Sequence, residues 1–232
     1  MTIILASNNG HKRSEMEGIF RDRGATVELV QPREIGLTFD VVEDGATFAD
    51  NAFIKARALA MLLRGEVLPG VSHTPAPDEI ARAIRDRFDD AVPPVLADDS
   101  GICVHALDNR PGVYSARYGN EPNGKTLDDE ERNALLLREL GSLSDRTAHY
   151  VCNAVLYFCP DRYLQVQESW HGEINDKPVY GETGFGYDPV FLVPEYRRTV
   201  AQIPQKQKDR ISHRAKAVGT ILQAAGWADP GN

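Results

Sequence analysis

The chain has 232 residues, 42% of them hydrophobic and 26% charged, and a formal net charge of −8, the composition of a globular protein long enough to bury a sizeable core. The acidic balance excludes a general nucleic-acid surface or an anionic-membrane partner, but not a nucleotide, which needs only a local basic pocket. No apolar run approaches the ~20 residues of a membrane span, the start Met1-Thr2-Ile3-Ile4-Leu5-Ala6 predicts a strand and not a signal peptide, and Cys103, Cys152 and Cys159 lack metal-ligand spacing, which predicts free buried thiols in a reducing, cytoplasmic setting.

Thr2 to Ala6 predicts a buried strand that opens into Ser7-Asn8-Asn9-Gly10-His11-Lys12. A helix follows, with Met16, Ile19 and Phe20 on one face and Gly24 as its stop. Strand, polar glycine-containing loop and helix start together present free N–H groups and a positive dipole end to an anion. Lys12 adds a point charge. The loop is neither a Walker A sequence nor a dinucleotide glycine pattern, so an ordinary capped turn stays open as the plainer reading. Val27 to Val30 predicts a second strand. After Val41-Val42-Glu43-Asp44-Gly45, Thr47 caps a strong helix with Asp50 in the capping-box position. Phe48, Ala52, Ala56, Leu59 and Leu63 recur at helical spacing up to Gly65. Asn51 and Lys55 share one helix face, where Lys55 can equally be a solvated partner of its neighbours. Glu43 lies just before the helix start, where an acid is electrostatically comfortable in any case. From about Arg64 to Pro94 the texture changes: Pro69, Gly70, Pro75 and Pro77 break the chain, Asp78 to Phe88 forms a short amphipathic helix, and Pro93-Pro94 closes what reads as an insertion.

The centre of the chain is Leu96-Ala97-Asp98-Asp99-Ser100-Gly101. An apolar run delivers two carboxylates and a hydroxyl, and Gly101 is expected to turn the backbone tightly before Ile102 to Val104. Side chains alternate along an extended chain, so Asp98 and Asp99 face opposite ways; one can hold the loop while the other faces a cleft. Arg110-Pro111-Gly112 then turns into the aromatic and basic segment Val113 to Tyr118. Leu127 to Leu140 predicts a helix with Leu135, Leu136 and Leu140 inward. Ala148 to Phe158 and Leu164 to Trp170 predict a hairpin, and His171 reads as a structural or surface histidine. The second dense motif is Gly181-Glu182-Thr183-Gly184-Phe185-Gly186-Tyr187-Asp188-Pro189-Val190-Phe191. Its glycines let a backbone come close to a ligand, and Phe185 or Tyr187 can stack on a flat ring. Lys206 to Arg214 forms a basic cluster at the start of a last helix capped by Ser212, a local anion site in an acidic chain. Early alternation of strands and helices with a later hairpin predicts one mixed-sheet α/β architecture.

Together these parts suit nucleoside triphosphate hydrolysis: Glu43 and Asp99 can ligate Mg²⁺, Lys12 and the first loop can hold phosphates, Phe185 can stack on a base, and Lys208, His213 and Arg214 can read its edge. The same residues resemble the inosine triphosphate pyrophosphatases. The resemblance is carried by Ser7 to Lys12, Thr47 to Ala52 with Lys55-Ala56, Leu96 to Gly101, Pro111 to Tyr118, Gly184 to Phe191 and Ser212-His213-Arg214, in the family's order and over nearly the whole chain outside the insertion. It implies an ITPase-like α/β fold, a long mixed β-sheet with helices forming two lobes around a central cleft, over a single domain 1–232 with the insertion at about 64–94. It implies a homodimer that hydrolyses ITP, dITP and XTP, with Mg²⁺, to a monophosphate and pyrophosphate. Glu43 and Asp99 would then be metal ligands and Asp99 the base. Ser7, Asn8, Asn9, Gly10, His11, Lys12, Ser100, Phe185, Gly186, Tyr187, Asp188, Lys208, His213 and Arg214 would contact substrate. Asp50 stands where that family usually has Glu, one methylene shorter, which puts any metal or water contact from it in doubt. The insertion is expected to decorate the surface or extend the dimer contact. The alternatives are a house-cleaning pyrophosphatase for another modified nucleotide and a nucleotide-binding sensor without catalysis.

Overall fold

Strand β1 (Thr2–Leu5) is buried from Ile3 onward and leads into helix α1 (Gly10–Asp22). Asn9 caps that helix: its side-chain oxygen accepts from the N–H groups of His11 (2.9 Å) and Lys12 (3.2 Å), two of the donors a helix start leaves without a partner. The chain continues through β2 (Glu28–Val30), β3 (Thr38–Val41), α2 (Phe48–Leu62), β4 (Val71–Thr74), α3 (Pro77–Phe88) and β5 (Val95–Val104). It then forms β6 (Arg110–Pro111), a 3-10 turn over Gly112–Arg117, α4 (Asp129–Leu140), β7 (Thr147–Cys159), β8 (Arg162–Ile174), β9 (Phe191–Val193), β10 (Arg198–Thr199), α5 (Gln205–Ile211) and α6 (His213–Ala224). This computed structural model describes residues 1–89, 91–121, 124–182 and 184–228. Thr183 of the glycine motif and Asp90 of the 64–94 segment lie outside the described residues.

The main sheet has the strand order β10-β9-β8-β7-β5-β1-β2, with β6 on β5, and β3 pairs with β4 in a small second sheet. It is mixed, as expected: β1 lies parallel to β2 and β5, whereas β5–β6, β8–β9 and β9–β10 are antiparallel. Two departures from the expected elements have local causes. β3 and β4 are too short and too polar to stand out in the sequence, since only every second residue of Thr38-Phe39-Asp40-Val41 has an inward position and the pair closes by register Phe39 to His73. Gly101 does not turn the chain, because β5 runs straight through it. The glycine is needed for close approach instead: a Cβ there would lie 2.3 Å from Ser115 Oγ and 2.6 Å from the Gly112 carbonyl oxygen.

The chain groups into two compact units. The first comprises Met1–Asp99, Asn153–Gln167 and Lys216–Asn232; the second comprises Ser100–Cys152 and Glu168–Ala215. The first has a core in which Ile4, Leu59, Leu62, Ile80, Ile84 and Tyr157 belong to one cluster. Ile80 and Ile84 of α3 are fully buried there, so the 64–94 segment is part of this unit's core and not surface decoration. The second unit has its own core, built on Ile102, Leu136, Leu140, Trp170 and Phe191; Leu135, expected inward, is only half-buried. Cys103 and Cys152 are buried free thiols, and Cys159 is half-buried. No helix among the described residues is long and apolar enough to cross a membrane.

One polar chain in the second unit sets a pH dependence. Asp145 accepts the Thr147 hydroxyl proton, Thr147 Oγ1 faces His105 Nδ1 at 3.1 Å, and His105 Nε2 faces His149 Nδ1 at 3.2 Å. Burial, with His105 and His171 close by, pushes the His149 pKa below the ordinary histidine value. The folded state therefore resists a proton that the unfolded chain accepts, and the stability this group contributes is lost as pH falls from the ordinary histidine range toward the lowered value. Thermal melts between about pH 7.5 and about pH 5.5 should show a smaller loss of Tm for His149→Gln than for the wild type.

Candidate active site

In the first unit, three elements bring charge together. β5 delivers Asp98 and Asp99 to opposite faces, as alternation requires. Asp98, 2% exposed, receives the Lys12 ammonium from the start of α1, with Nζ 3.0 Å from Oδ2. The loop that precedes α1 is fixed by its own polar groups: the Asn9 N–H donates to Ser7 Oγ, Gln31 donates to the Ser7 carbonyl, and Asn8 donates to the Phe39 carbonyl. Asn8 to His11 remain exposed at the helix start, where the helix dipole favours an anion.

Asp99 meets α2. Its Oδ1 lies 3.4 Å from Lys55 Nζ and its Oδ2 accepts from Asn51 Nδ2 at 3.1 Å. The same ammonium lies 2.8 Å from Glu43 Oε2. Asn51 also accepts the Gly45 N–H at 2.9 Å, which ties the loop carrying Glu43 to the helix. Lys55 is thus a buried cation between two carboxylates. Burial opposes its charge, but Asp99, Glu43 and Asp98 outweigh that, and its pKa stands above the usual lysine value. Lys55 and Asn51 are functional candidates that the sequence alone does not separate from solvated neighbours; their one-turn spacing is the available signal. Asp50 is occupied otherwise. Its carboxylate accepts from the Thr47 N–H and hydroxyl at 3.0 and 2.8 Å, completing the capping box.

In the second unit, the turn from Phe185 to Asp188 is held from several sides. Asp188 is buried; its Oδ2 receives Lys208 Nζ at 2.7 Å and the Phe185 N–H at 3.0 Å, and its Oδ1 receives the Tyr150 hydroxyl at 3.2 Å. Gly186, at φ +60°, has both backbone groups taken by α4: its N–H donates to Asp129 Oδ2 at 2.8 Å and its carbonyl accepts from Asn133 Nδ2 at 3.0 Å. The Lys208 ammonium lies 4.8 Å from the centre of the half-buried Phe185 ring. Tyr187 packs inward, 5% exposed, and donates its hydroxyl to the Ser115 carbonyl, whereas the Phe185 ring is half-buried. The Lys206 to Arg214 cluster is not one solvated run. Arg210 is exposed and Lys206 stands at the open start of α5, whereas Lys208 is committed to Asp188, and Arg214, 2% exposed, donates to Ser100 Oγ at 2.8 Å. His213, at the start of α6, is buried in parallel contact with Tyr150.

The donor set also bears on a metal. Among the described residues no three His, Cys, Asp or Glu side chains converge on one point, so a closed protein cage is not the fit to look for. Glu43 and Asp99 do converge, on a cationic ammonium, and Mg²⁺ is commonly held by one or two carboxylates plus substrate phosphates and water. These two side chains fit that pattern.

Comparison with known proteins shows the family of the chain as a whole. The Ham1 family's sequence model matches residues 3–224. A dITP/XTP pyrophosphatase of Bordetella parapertussis is 40% identical over 225 residues, covering 95% of this chain and 89% of that protein. One of Treponema denticola is 35% identical over 221 residues, covering 95% and 96%. Among solved structures, a HAM1 protein from Coxiella burnetii superposes with a TM-score of 0.73 at 33% identity, covering 98% of this chain and all of that one. The Staphylococcus aureus Ham1 protein gives 0.69 at 35% identity, covering 97% of each chain.

Proposed function

The chain belongs to the Ham1 family, and from that premise we propose that it is a hydrolase that converts dITP and XTP, and ITP with them, to the monophosphate and pyrophosphate, a house-cleaning activity on deaminated purine nucleotides. The observation that carries this reading is the convergence of Glu43 and Asp99 on Lys55 beside an anion-receptive helix start that already places Lys12 on Asp98.

Glu43 and Asp99 would hold Mg²⁺; when bound, it neutralises phosphate charge and makes a neighbouring water easier to deprotonate. Ser7 to His11 with the α1 start and Lys12 bind the phosphates. Asp99 accepts the proton of the water whose oxygen attacks the α-phosphorus; the bond to the bridging oxygen breaks, and its electron pair leaves with pyrophosphate. Lys55 and Asn51 each engage one oxygen of that carboxylate, so they set its direction. The second unit supplies base recognition: Phe185 stacks on the purine, the Gly186 backbone lets it come close, Asp188, Lys208 and the Tyr187-anchored turn shape the pocket, Ser100 meets the substrate beside Arg214, and His213 and Arg214 donate to the 6-oxygen. Adenine has an amino donor there. A buried mismatched polar group costs about 1–3 kcal/mol, so two mismatches total about 2–6 kcal/mol, a discrimination of about 30-fold or more. The reading extends to a single catalytic domain over 1–232, a homodimer and a cytoplasmic location, the last in keeping with the free thiols.

The test is pyrophosphate release with Mg²⁺ from dITP, XTP and ITP against dATP, ATP and GTP. Turnover of the first three at a kcat/KM about 30-fold or more above that of the adenine nucleotides is the expected result. Equal turnover of ITP and ATP would remove the specificity argument, and release from none of the six would remove the activity.

A further inference from the structure

We propose that Tyr150 is a positioning residue for base recognition, setting the plane of the His213 imidazole and the carboxylate of Asp188 with one side chain; the proposal rests on the base-reading role given above to the second unit.

β7 delivers Tyr150 into the core of that unit, 7% exposed. Its ring lies almost parallel to His213, with centroids 4.7 Å apart and 6° between the planes. Its hydroxyl donates to Asp188 Oδ1 at 3.2 Å, while Lys208 and the Phe185 N–H take Oδ2. Phe191 backs the tyrosine ring at 4.6 Å and 42°. Trp170 approaches His213 less closely, at 6.4 Å and 25°. Tyr150 therefore contacts both the start of α6 and the turn that carries Phe185.

The consequence is directional. A histidine ring rotates about two bonds, and a hydrogen bond from its N–H weakens steeply once the donor is misaligned. A parallel ring at van der Waals distance restricts that rotation without competing for the ring nitrogens, which a polar neighbour would do. The hydroxyl acts on the other recognition element, because fixing Asp188 Oδ1 leaves Oδ2 to orient the Lys208 ammonium under Phe185. An aliphatic residue of similar volume would fill the core and supply neither constraint. Volume alone thus accounts for burial, but not for the parallel ring or the bond to an already engaged carboxylate.

The experiment compares Tyr150→Leu, Tyr150→Met and Tyr150→Phe with the wild type, using steady-state kinetics with dITP and dATP and, separately, NMR of the His213 ring protons. The energy of an aromatic pair corresponds to about a 3- to 10-fold change. Leu and Met are expected to raise KM for dITP by that factor with kcat little changed, and to lower the dITP over dATP preference; Phe, which keeps the ring but not the hydroxyl, recovers the ring's share of KM and retains a smaller rise from the released Asp188 Oδ1. The His213 ring protons, shifted upfield over the tyrosine face, move downfield in the Leu and Met proteins and stay in place in Phe. Unchanged KM and preference in the folded Leu or Met protein would overturn the proposal, as would His213 resonances that do not move. A loss confined to kcat would also overturn it. A wild type inactive on dITP and XTP would instead overturn the nucleotide reading, and the NMR comparison would still decide whether Tyr150 holds His213.

Discussion

Replacing Asp99 by Asn is expected to lower kcat for dITP by about 10²- to 10⁴-fold, the usual contribution of a positioned general base. The substitution keeps the side chain's size and one acceptor oxygen. Asn51 donates to one oxygen of Asp99 and the Lys55 ammonium faces the other, so an amide nitrogen must point at one of two donors. The variant therefore loses the proton acceptor and gains a local mismatch, while Glu43 still faces Lys55. Single-turnover kinetics on dITP, paired with calorimetric binding of the same nucleotide, check the result. Binding within about tenfold of wild type beside the large loss in kcat places Asp99 in the chemical step. A variant that turns over dITP at more than about a tenth of the wild-type rate would take the base role away from Asp99.

The second large effect is on stability. Lys208 and Asp188 are an ion pair with side chains only 3% and 6% exposed, 2.7 Å apart. Removing one member of such a pair leaves the other charge buried, which costs about 3–5 kcal/mol. Lys208→Met should lower Tm by about 10 °C in a protein of this size. The double variant Lys208→Met with Asp188→Asn should recover a good part of that loss, because neither position is then left with an unpaired charge. Asn keeps one acceptor oxygen, which the Phe185 N–H can use, and its amide NH2 can donate to the Tyr150 hydroxyl oxygen instead of accepting from it. Scanning calorimetry of the wild type, two single variants and the double variant gives the coupling directly. A double variant no more stable than Lys208→Met would show that the ammonium acts by filling space and not by neutralising Asp188.

What can be read from the sequence follows the range of the interactions concerned. The capping box of Thr47 and Asp50 spans three residues and is legible because its partners are neighbours in the chain. The opposite orientations of Asp98 and Asp99 are legible for the same reason, since alternation is a property of an extended backbone. The ammonium that meets Asp99 comes from 44 residues away, and the ring that meets His213 lies on a distant strand. No local pattern encodes such pairs. Gly101 shows the same limit from the other side: local chemistry suggests a turn, but the reason for a glycine lies in Ser115 and Gly112, which close over it from elsewhere in the chain. The 64–94 segment is set apart by its prolines, while the burial of Ile80 and Ile84 that joins it to the first unit is again a long-range fact.

Lys55 gives the site a built-in counter-ion. Two carboxylates facing each other without one would repel and spread, and the loop bearing Glu43 would have to be drawn back in each time a substrate arrived; the ammonium keeps both acids in register beforehand. It also reduces the pull of the substrate-free protein on divalent cations, since two negative charges and one positive leave a single net charge to attract them. The triphosphate brings the missing negative charge with it. On the metal role proposed above for Glu43 and Asp99, strong cation affinity would then be tied to the arrival of the molecule to be cleaved.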